Sequence, residues 1–305
     1  MRVLFVARYK ENGFAPFVTE QVDALKELGV ECRYFPVQGK GVLGYFRHLP
    51  ALRKAIGEFS PDVIHAHYGL CGLLANLQRK VPVVTTYHGS DINDPKVRRL
   101  SRIAMRLSRK IIFVSQNLMD LAAPVKNGVV IPCGINLDDY PIVEKEETRR
   151  KMGLKPDAKY ILFAGAFDNA IKNVSLAKAA LEHLSGVELL ELKGYTRQQV
   201  TMLMQAVDVF LMTSISEGSP QVIKEALACG CPIVSVDVGD VRARIGGIEG
   251  CFVSDSREPE QLAGLVHRAL SFRGRTSGRE RVMADGLDNK ALVAKLKAVY
   301  DQVSL

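Results

Sequence analysis

The amino-acid sequence predicts an α/β protein built from two doubly wound, Rossmann-like domains. Short apolar runs alternate with amphipathic stretches along the chain, which is the order that parallel sheets with crossover helices require. The chain has 305 residues, a length that two domains of about 150 residues would fill. A polar segment, 136–158, interrupts the alternation with Pro141, Pro156 and the charge run EKEETRRK. We expect this segment to connect the two domains.

The first predicted domain spans residues 1–142 and begins with the apolar strand RVLFVA at 2–7. Its first helix is predicted over 15–28, where apolar residues recur at helical spacing until Gly29 ends the pattern. The other elements follow from the same alternation. Strands are predicted at 30–37, 61–67, 81–87, 110–115 and 129–135, and helices at 45–59, 69–79 and 95–108.

The second predicted domain spans residues 143–287, and its first strand is YILFAGA at 160–166. Further strands are predicted at 187–192, 208–213, 232–237 and 250–254, and helices at 174–184, at 196–206, from 220 onward and at 259–271. Thr196 and Gln199 have the spacing of a capping box. The last amphipathic stretch, 288–305, predicts a helix that packs back on the first domain.

Composition and charge exclude several classes of protein. Hydrophobic residues make up 47% of the chain and charged residues 24%, which is typical of a globular rather than a disordered chain. No apolar run reaches the roughly 18 residues of a membrane-spanning helix, and the N-terminus lacks the features of a signal peptide. The six cysteines are scattered without C-x-x-C spacing. We therefore expect reduced thiols, a cytoplasmic location and no structural zinc site.

Most of the net charge of +8 lies in residues 1–142, where 19 Lys and Arg stand against 12 Asp and Glu. Such an excess suits an anionic partner: nucleic acid, a membrane surface or a phosphorylated substrate. Residues 96–110 hold seven basic residues and no acidic one. Four of these arginines predict a patch for an anionic membrane surface or acceptor: Arg98, Arg99, Arg102 and Arg106.

The same segment predicts an amphipathic helix with an apolar stripe against the sheet. The stripe would consist of residues at helical spacing: Val97, Leu100, Ile103, Ala104 and Leu107. A solvated helix face would explain the same charges. Aromatic residues do not interleave with the basic ones, and this disfavours nucleic acid as the partner.

Residues 214–234, SISEGSPQVIKEALACGCPIV, leave a predicted strand and open a helix. Ser219 is predicted to cap that helix and Pro220 to be its first residue. Gly218 leaves room for the close approach of a ligand. The first turn of the helix would present backbone amides to an anion, namely those of Gln221 and Val222.

Two carboxylates, Glu217 and Glu225, flank this predicted anion site. A carboxylate beside a phosphate is unfavourable unless it binds hydroxyl groups. The pair therefore suggests a sugar on one side and a ribose on the other. A capped helix with two solvated glutamates explains the same pattern.

The stretch EGSPQVIKEA resembles the E-x7-E signature of retaining glycosyltransferases of family 4. Other segments similar to that family follow in its order: PDVIHAHYG (61–69), TYHGSD (86–91), VSQN (114–117), IPCGINLDDY (131–140) and CPIVSVDVGD (231–240). The resemblance implies the GT-B fold, with a cleft between the two domains. It also implies transfer of a sugar from a nucleotide-sugar donor to an acceptor hydroxyl, with retention. Within the family the chain is most similar to bacterial surface-polysaccharide enzymes of the teichuronic-acid and capsule type.

The resemblance implies a donor site in the second domain and an acceptor side in the first. Glu217 would hold hydroxyls of the donor sugar, and Glu225 would bind the ribose. Lys172 would neutralise the diphosphate, and its alternative is an exposed loop lysine. The following Asn173, which is predicted to cap the next helix, favours the diphosphate role. The diphosphate would lie on the loop and first helical turn formed by Gly218, Ser219, Gln221 and Val222.

The remaining implied contacts lie in loops at the ends of strands. His88 would contact the transferring sugar or reaction centre, and its alternative is a turn histidine bonded to Asp91. Gly194 and Tyr195 would hold the base, and Gly13 would belong to the donor site through the first loop. His65 and His67 share one face of a strand, where they line the acceptor region or pack at the end of the sheet.

The sequence departs from the family at Ala166, where an arginine is usual. This departure keeps open a catalytically weak homologue that acts as a partner subunit. An oxidoreductase is disfavoured, because no G-x-G-x-x-G follows the first strand. No D-x-D occurs, so we expect a metal-independent site and no cofactor besides the donor, with UDP favoured by the resemblance. The acceptor would be lipid-linked or a polysaccharide, presented at the inner face of the plasma membrane.

Overall fold

The computed structural model describes residues 1–11, 13–39 and 41–304. The chain divides into two compact units. Unit 1 consists of Met1–Gly134 and the stretch from Leu287 onward, and unit 2 of Ile135–Gly286. The division comes earlier than residue 142 because Tyr140 is buried within unit 2, where Arg279 donates to its carbonyl at 2.8 Å.

Unit 1 forms a parallel sheet of six strands within the described residues, in the order β2-β1-β3-β4-β5-β6. The strands are β1 (Arg2–Arg8), β2 (Glu31–Val37), β3 (Val63–His67), β4 (Val83–Tyr87), β5 (Lys110–Phe113) and β6 (Gly128–Val130). The helices are α1 (Pro16–Glu27), α2 (Gly41–Phe46), α3 (Leu49–Phe59), α4 (Gly69–Asn76), α5 (Ser90–Asn93), α6 (Pro95–Leu107), α7 (Gln116–Ala122) and the C-terminal helix (Asn289–Val303).

Alternation along β1 fills the cores on both faces of this sheet. Val3 and Phe5 belong to one buried cluster, to which α1 and the C-terminal helix contribute. Leu4 and Val6 belong to the cluster on the other face, with side chains from α3 and α4. Because every residue from Val3 to Val6 is fully buried, the first strand reads as a continuous apolar run.

Unit 2 forms a parallel sheet of five strands in the part of the chain described, in the order β11-β10-β9-β7-β8. The strands are β7 (Lys159–Phe163), β8 (Val187–Glu191), β9 (Val209–Met212), β10 (Ile233–Val236) and β11 (Phe252–Ser254). The helices are α8 (Lys145–Met152), α9 (Val174–Leu181), α10 (Arg197–Ala206), α11 (Gln221–Ala228), α12 (Val241–Ile245), α13 (Pro259–Ser271) and α14 (Gly278–Ala284).

These two sheets confirm the predicted class of two doubly wound α/β domains. Two local predictions were wrong. The predicted helix 45–59 is split into α2 and α3, and Pro50 lies in the first turn of α3, where a proline favours a new start. The predicted connection 136–158 contains α8, which is held by Arg149: its guanidinium donates to Asp208 at 2.9 Å.

The order of strands reverses once in each unit. In unit 1 the chain goes from β1 outward to β2 and then crosses to β3, and in unit 2 it goes from β7 to β8 and then crosses to β9. Ligands of open α/β sheets bind beyond the carboxyl ends of the strands at such reversals. The loops after β1 and β3, and those after β7 and β9, are therefore where binding residues are expected. No helix in the described ranges is both long enough and apolar enough to cross a membrane.

Candidate functional site

In unit 2, the loops that follow β7 and β9 bring two predicted donor residues together. The ammonium of Lys172 donates to Oε1 of Glu217 at 2.7 Å, and the two side chains are 20% and 17% exposed. These residues are 45 positions apart in the sequence. An ammonium and a carboxylate at the reversal of a sheet can offer a positive charge to an anion and hydrogen-bond acceptors to hydroxyl groups.

Contacts between the two loops fix the position of Lys172. The hydroxyl of Thr213, just after β9, donates to the carbonyls of Lys172 and Asn173 at 3.0 and 2.9 Å. Gly165 is required beside it, because a Cβ there would lie 2.7 Å from Cγ of Lys172. Asn173 takes the N-cap position of α9 at φ +55°, but its side chain makes no capping hydrogen bond, contrary to expectation.

The beginning of α11 differs from the prediction for Ser219. Pro220 is the N-cap residue and Gln221 the first helical residue. The hydroxyl of Ser219 donates instead to Oδ2 of Asp240 at 2.9 Å, a charged carboxylate oxygen that also accepts from the guanidinium of Arg244 at 2.9 Å.

The diphosphate residues predicted by resemblance line the entry to this helix. Gly218 is buried, and Gly239 packs so closely that a Cβ on it would lie 2.9 Å from the carbonyl oxygen of Gly218. Gln221 and Val222 occupy the first turn and are half-buried. Glu225 is half-buried one turn further along the same helix.

The predicted base-binding loop follows β8, the strand beside β7. Gly194 has φ +80° and is exposed, as is Tyr195. The predicted capping box is present: the Thr196 hydroxyl accepts from the Gln199 amide, and the Gln199 side chain accepts from the Thr196 amide. These two side chains therefore have a structural role in starting α10.

In unit 1, His88 follows β4 in a cluster of aromatic rings. Its Nε2 lies 3.0 Å from Nδ1 of His67, and its Nδ1 lies 3.7 Å from Sγ of Cys133. The rings of Phe17 and Tyr68 both pack against the His88 ring, each with 4.6 Å between the ring centroids. The imidazole is therefore held in place through both ring nitrogens.

His65 and His67 share a face of β3, as the alternation predicts, and their rings stack at 4.4 Å. His65 lies between the hydroxyls of Tyr300 and Thr86, at 2.6 and 2.7 Å. Burial lowers the pKa of His67 to about 3, and it lowers the pKa of His65 well below its usual value. Both imidazoles are therefore neutral at physiological pH.

Asp91 organises the turn that carries His88. Its carboxylate accepts backbone amides from Gly69 at 3.2 Å, His88 at 3.1 Å and Gly89 at 3.0 Å. Burial raises the pKa of Asp91 to about 6, although these amides lower it. Asp91 thus binds the backbone of His88, while the imidazole of His88 meets His67.

The basic helix α6 exposes its arginines but does not bury the predicted stripe. Arg99, Arg102 and Arg106 are exposed and Arg98 is half-exposed. The buried face consists of Ser101, Ala104 and Met105. Small residues are needed there because a Cβ on Gly69 of α4 would lie 2.0 Å from Oγ of Ser101. Two residues of the predicted stripe face solvent instead: Ile103, which is 45% exposed, and Leu107, which is 40% exposed.

Gly13 lies in the loop after β1, with φ +94°, and pairs with Lys10 through two backbone hydrogen bonds. This loop borders a cavity of about 1330 Å³ that belongs to unit 1. Within the described ranges, no three His, Cys, Asp or Glu side chains are grouped closely enough to hold a metal ion.

Sequence reasoning missed several contributors to these sites. Asp240 accepts from Ser219 but lies 21 residues further along the chain. His67 contacts His88 and is also 21 residues from it. Gly165, which precedes the unusual Ala166, was not singled out, and its lack of a side chain leaves room for Lys172. The position of each residue at the end of an apolar strand was the available signal.

Two family models match the chain. Residues 11–139 match the model described as Glycosyltransferase Family 4, and residues 161–271 match that described as Glycosyl transferases group 1. The chain is therefore similar to glycosyltransferase family 4 along most of both units.

Two curated proteins similar to this chain have different named activities. A protein of Bacillus subtilis named as a teichuronic acid biosynthesis glycosyltransferase, TuaC, is 28% identical over 70% of this chain and 63% of its own length. A D-inositol 3-phosphate glycosyltransferase of Geodermatophilus obscurus is 26% identical over 78% of this chain and 66% of its own length. The chain thus spans slightly less than two thirds of these relatives.

Solved structures establish the fold of this chain. Sucrose-phosphate synthase of Thermosynechococcus elongatus superimposes with a TM-score of 0.80 at 17% identity, over 99% of this chain and 98% of that one. HepE of Anabaena in complex with UDP and glucose superimposes with a TM-score of 0.74 at 16% identity, over 99% and 100%. The two Rossmann-like domains are therefore of the GT-B type.

Proposed function

We propose that the chain is a retaining glycosyltransferase that moves a hexose-type sugar from a nucleotide-diphosphate donor to an acceptor hydroxyl. The ion pair between Lys172 and Glu217 carries this proposal, because it lies at the reversal of the sheet in unit 2. The complexes of HepE with UDP and glucose, with UDP, and with UDP-glucose support a uridine nucleotide as the donor.

The residues of unit 2 suit the charges of this reaction. The bond between the sugar C1 and the diphosphate oxygen breaks, a bond from C1 to the acceptor oxygen forms on the same face, and the acceptor proton passes to the leaving phosphate. Lys172 and the first turn of α11 stabilise the charge that grows on the leaving group. Glu217 accepts hydrogen bonds from hydroxyls of the donor sugar, and Glu225 accepts hydrogen bonds from hydroxyls of the ribose. The loop at Gly194 holds the base. A divalent ion is not needed where these groups supply the positive charge.

The acceptor is proposed to be a surface polysaccharide or a lipid-linked precursor. TuaC is named for teichuronic acid biosynthesis, which is such a polymer pathway. We propose that unit 1 approaches the anionic inner leaflet through α6, whose exposed Arg99, Arg102 and Arg106 stand beside the exposed Ile103 and Leu107. Cations would adsorb to the leaflet and the two apolar side chains would insert shallowly.

A nucleotide panel tests the proposed donor site. Thermal unfolding is measured with UDP, GDP, ADP and dTDP, and transfer or hydrolysis of the matching nucleotide sugars is then followed. We expect one nucleotide to raise the melting temperature, because ligands stabilise by mass action. Lys172→Ala should abolish this shift and lower turnover by roughly 10²-fold or more. Lys151→Ala, which removes an exposed ion pair of α8 in the same unit, is the control.

Four outcomes of this panel have separate meanings. Binding with turnover that persists in EDTA supports the proposal in full. Complete loss in EDTA that added metal reverses would refute metal independence alone. Nucleotide binding without any transfer would favour the catalytically weak partner subunit that Ala166 suggests, and no binding at all would refute the donor site.

A further inference from the structure

The cavity of unit 1 lies at the reversal of its own sheet. Its lining comes from the loop after β1, including Arg8, Tyr9 and Gly13, and from the turn after β3, including Tyr68 and Gly69. In unit 2 the corresponding loops carry Lys172 and Glu217. The cavity of about 1330 Å³ is large enough for a sugar and its substituents.

Arg8 places an unused positive charge in this cavity. It is exposed at the end of β1, close enough to Tyr45 and Tyr68 that its charge opposes the rise that burial causes in their pKa values. Among residues 1–11, 13–39 and 41–304, Arg8 forms no ion pair. A guanidinium of this kind is suited to bidentate binding of a phosphate or carboxylate.

The acidic side chains near Arg8 have other partners or lie at the rim. Asp91 is buried and accepts three backbone amides. Asp94 caps α6 by accepting from the amide of Lys96 at 2.8 Å. Glu11 is exposed, where its carboxylate can accept hydroxyl groups. None of these carboxylates neutralises Arg8.

Aromatic rings form another wall of the cavity. Tyr9 is 38% exposed and packs edge-on against Phe14, with 5.0 Å between the ring centroids. Tyr68 has φ +73° and ψ 151°, a strained conformation for a residue with a side chain. Its amide donates to the carbonyl of Thr86 at 2.8 Å, and this bond holds the residue in place. Strain of this kind concentrates at ligand sites.

We infer that this cavity binds the acceptor, and that the acceptor is an anionic sugar, one that carries a phosphate or carboxylate group. Arg8 pairs with the anion, while Tyr9 and Tyr68 pack against the apolar face of the sugar ring. The role of the bound molecule as acceptor rests on the proposed glycosyl transfer, but the binding itself does not.

Binding of small probes to the whole chain tests this inference. Saturation-transfer NMR titrations compare glucose 6-phosphate, glucuronate, glucose and inorganic phosphate. At least one of the two anionic sugars should bind about tenfold or more tighter than either glucose or phosphate alone, since a charge-assisted pair adds to the stacking. In Arg8→Gln the ratio of the affinity for the anionic sugar to the affinity for glucose should fall to near one. Arg8→Lys should restore part of this ratio.

Matched variants separate the cavity from other sites. Arg53→Gln, an exposed arginine of α3 outside the cavity, should keep the preference. Tyr9→Ala should weaken all three sugars several-fold and leave their ratio unchanged.

Equal affinity for glucose and both anionic sugars would overturn the inference, as would an Arg8→Gln variant that retains the preference. If inorganic phosphate binds as tightly as glucose 6-phosphate, the proposed packing of Tyr9 and Tyr68 against the sugar ring is wrong. Failure of the proposed function is seen separately: the nucleotide panel would then show no binding, while the preference for anionic sugars would still depend on Arg8.

Discussion

His67 lies buried between His65 and His88, and its pKa is lowered to about 3 by the loss of solvation. In the unfolded chain a histidine has its ordinary pKa of about 6.5. Below that pH this histidine binds a proton in the unfolded state but stays neutral in the folded state. The stability that neutral His67 contributes is therefore present above pH 6.5 and is lost as the pH falls toward 3.

Asp91 affects the pH dependence of stability in the opposite direction. Its raised pKa makes the folded state bind a proton more readily, and its contribution to stability is lost as the pH rises through about 6.

The substitution His67→Asn should flatten the acid side of the stability profile. Asparagine keeps a polar group near the position of Nδ1 beside His88 but does not titrate. Between pH 6 and pH 4 the wild-type free energy of unfolding should fall more steeply than that of the variant, by about 1.4 kcal/mol per pH unit. Urea denaturation at several pH values measures both slopes, and Asp91 cancels because it is present in both proteins. His267→Asn, at an exposed position of α13, should behave as wild type. Parallel slopes for wild type and His67→Asn would contradict this assignment.

At the scale of single elements, α6 shows which helical features sequence periodicity can predict. Its beginning at Pro95 and its end near Leu107 agree with the predicted 95–108, and Asp94 supplies the cap. Its buried face was predicted wrongly, because large apolar residues were expected to face the core. Helix α4 approaches so closely at Gly69 that small side chains pack there, and Ile103 and Leu107 are turned to the solvent.

Membrane binding through α6 should depend on its position as well as its charge. Co-sedimentation with anionic vesicles at low salt should fall by roughly 10²–10³-fold when Arg98, Arg99, Arg102 and Arg106 become Gln, since each basic residue contributes about 1 kcal/mol. A control variant removes four exposed cations of unit 2 in the same way: Arg150, Lys151, Lys155 and Arg273. The control has the same net charge and should still bind. Binding should weaken as salt rises and vanish on neutral vesicles. Equal losses in the two variants would show that only net charge matters.

At the scale of the whole molecule, the two sheets could be predicted because each strand is a local apolar run between local turn signals. The contacts that form the candidate sites could not be predicted from the sequence, because they depend on which strands are neighbours in each sheet. Lys172 and Glu217 meet because β7 lies beside β9, and spacing alone does not give that order. The resemblance to the family supplied roles for both residues, but it offered no role for Arg8. The capping box at Thr196 was predicted correctly because both partners lie in one turn.

The C-terminal helix should control the stability of unit 1, although it is the last element of the chain. Leu296 and Tyr300 are buried in the same cluster as Val3 and Phe5 of β1. Leu296→Ala should lower the stability of unit 1 by about 2–5 kcal/mol, because it leaves a cavity beneath the sheet. Hydrogen–deuterium exchange should then quicken in β1 and β3, where opening of the core exposes backbone amides. The matched variant Val266→Ala, in the core of unit 2, should quicken exchange in β9 and β10 instead. If β1 exchanges at the wild-type rate in Leu296→Ala, the C-terminal helix is not part of the cooperative core of unit 1.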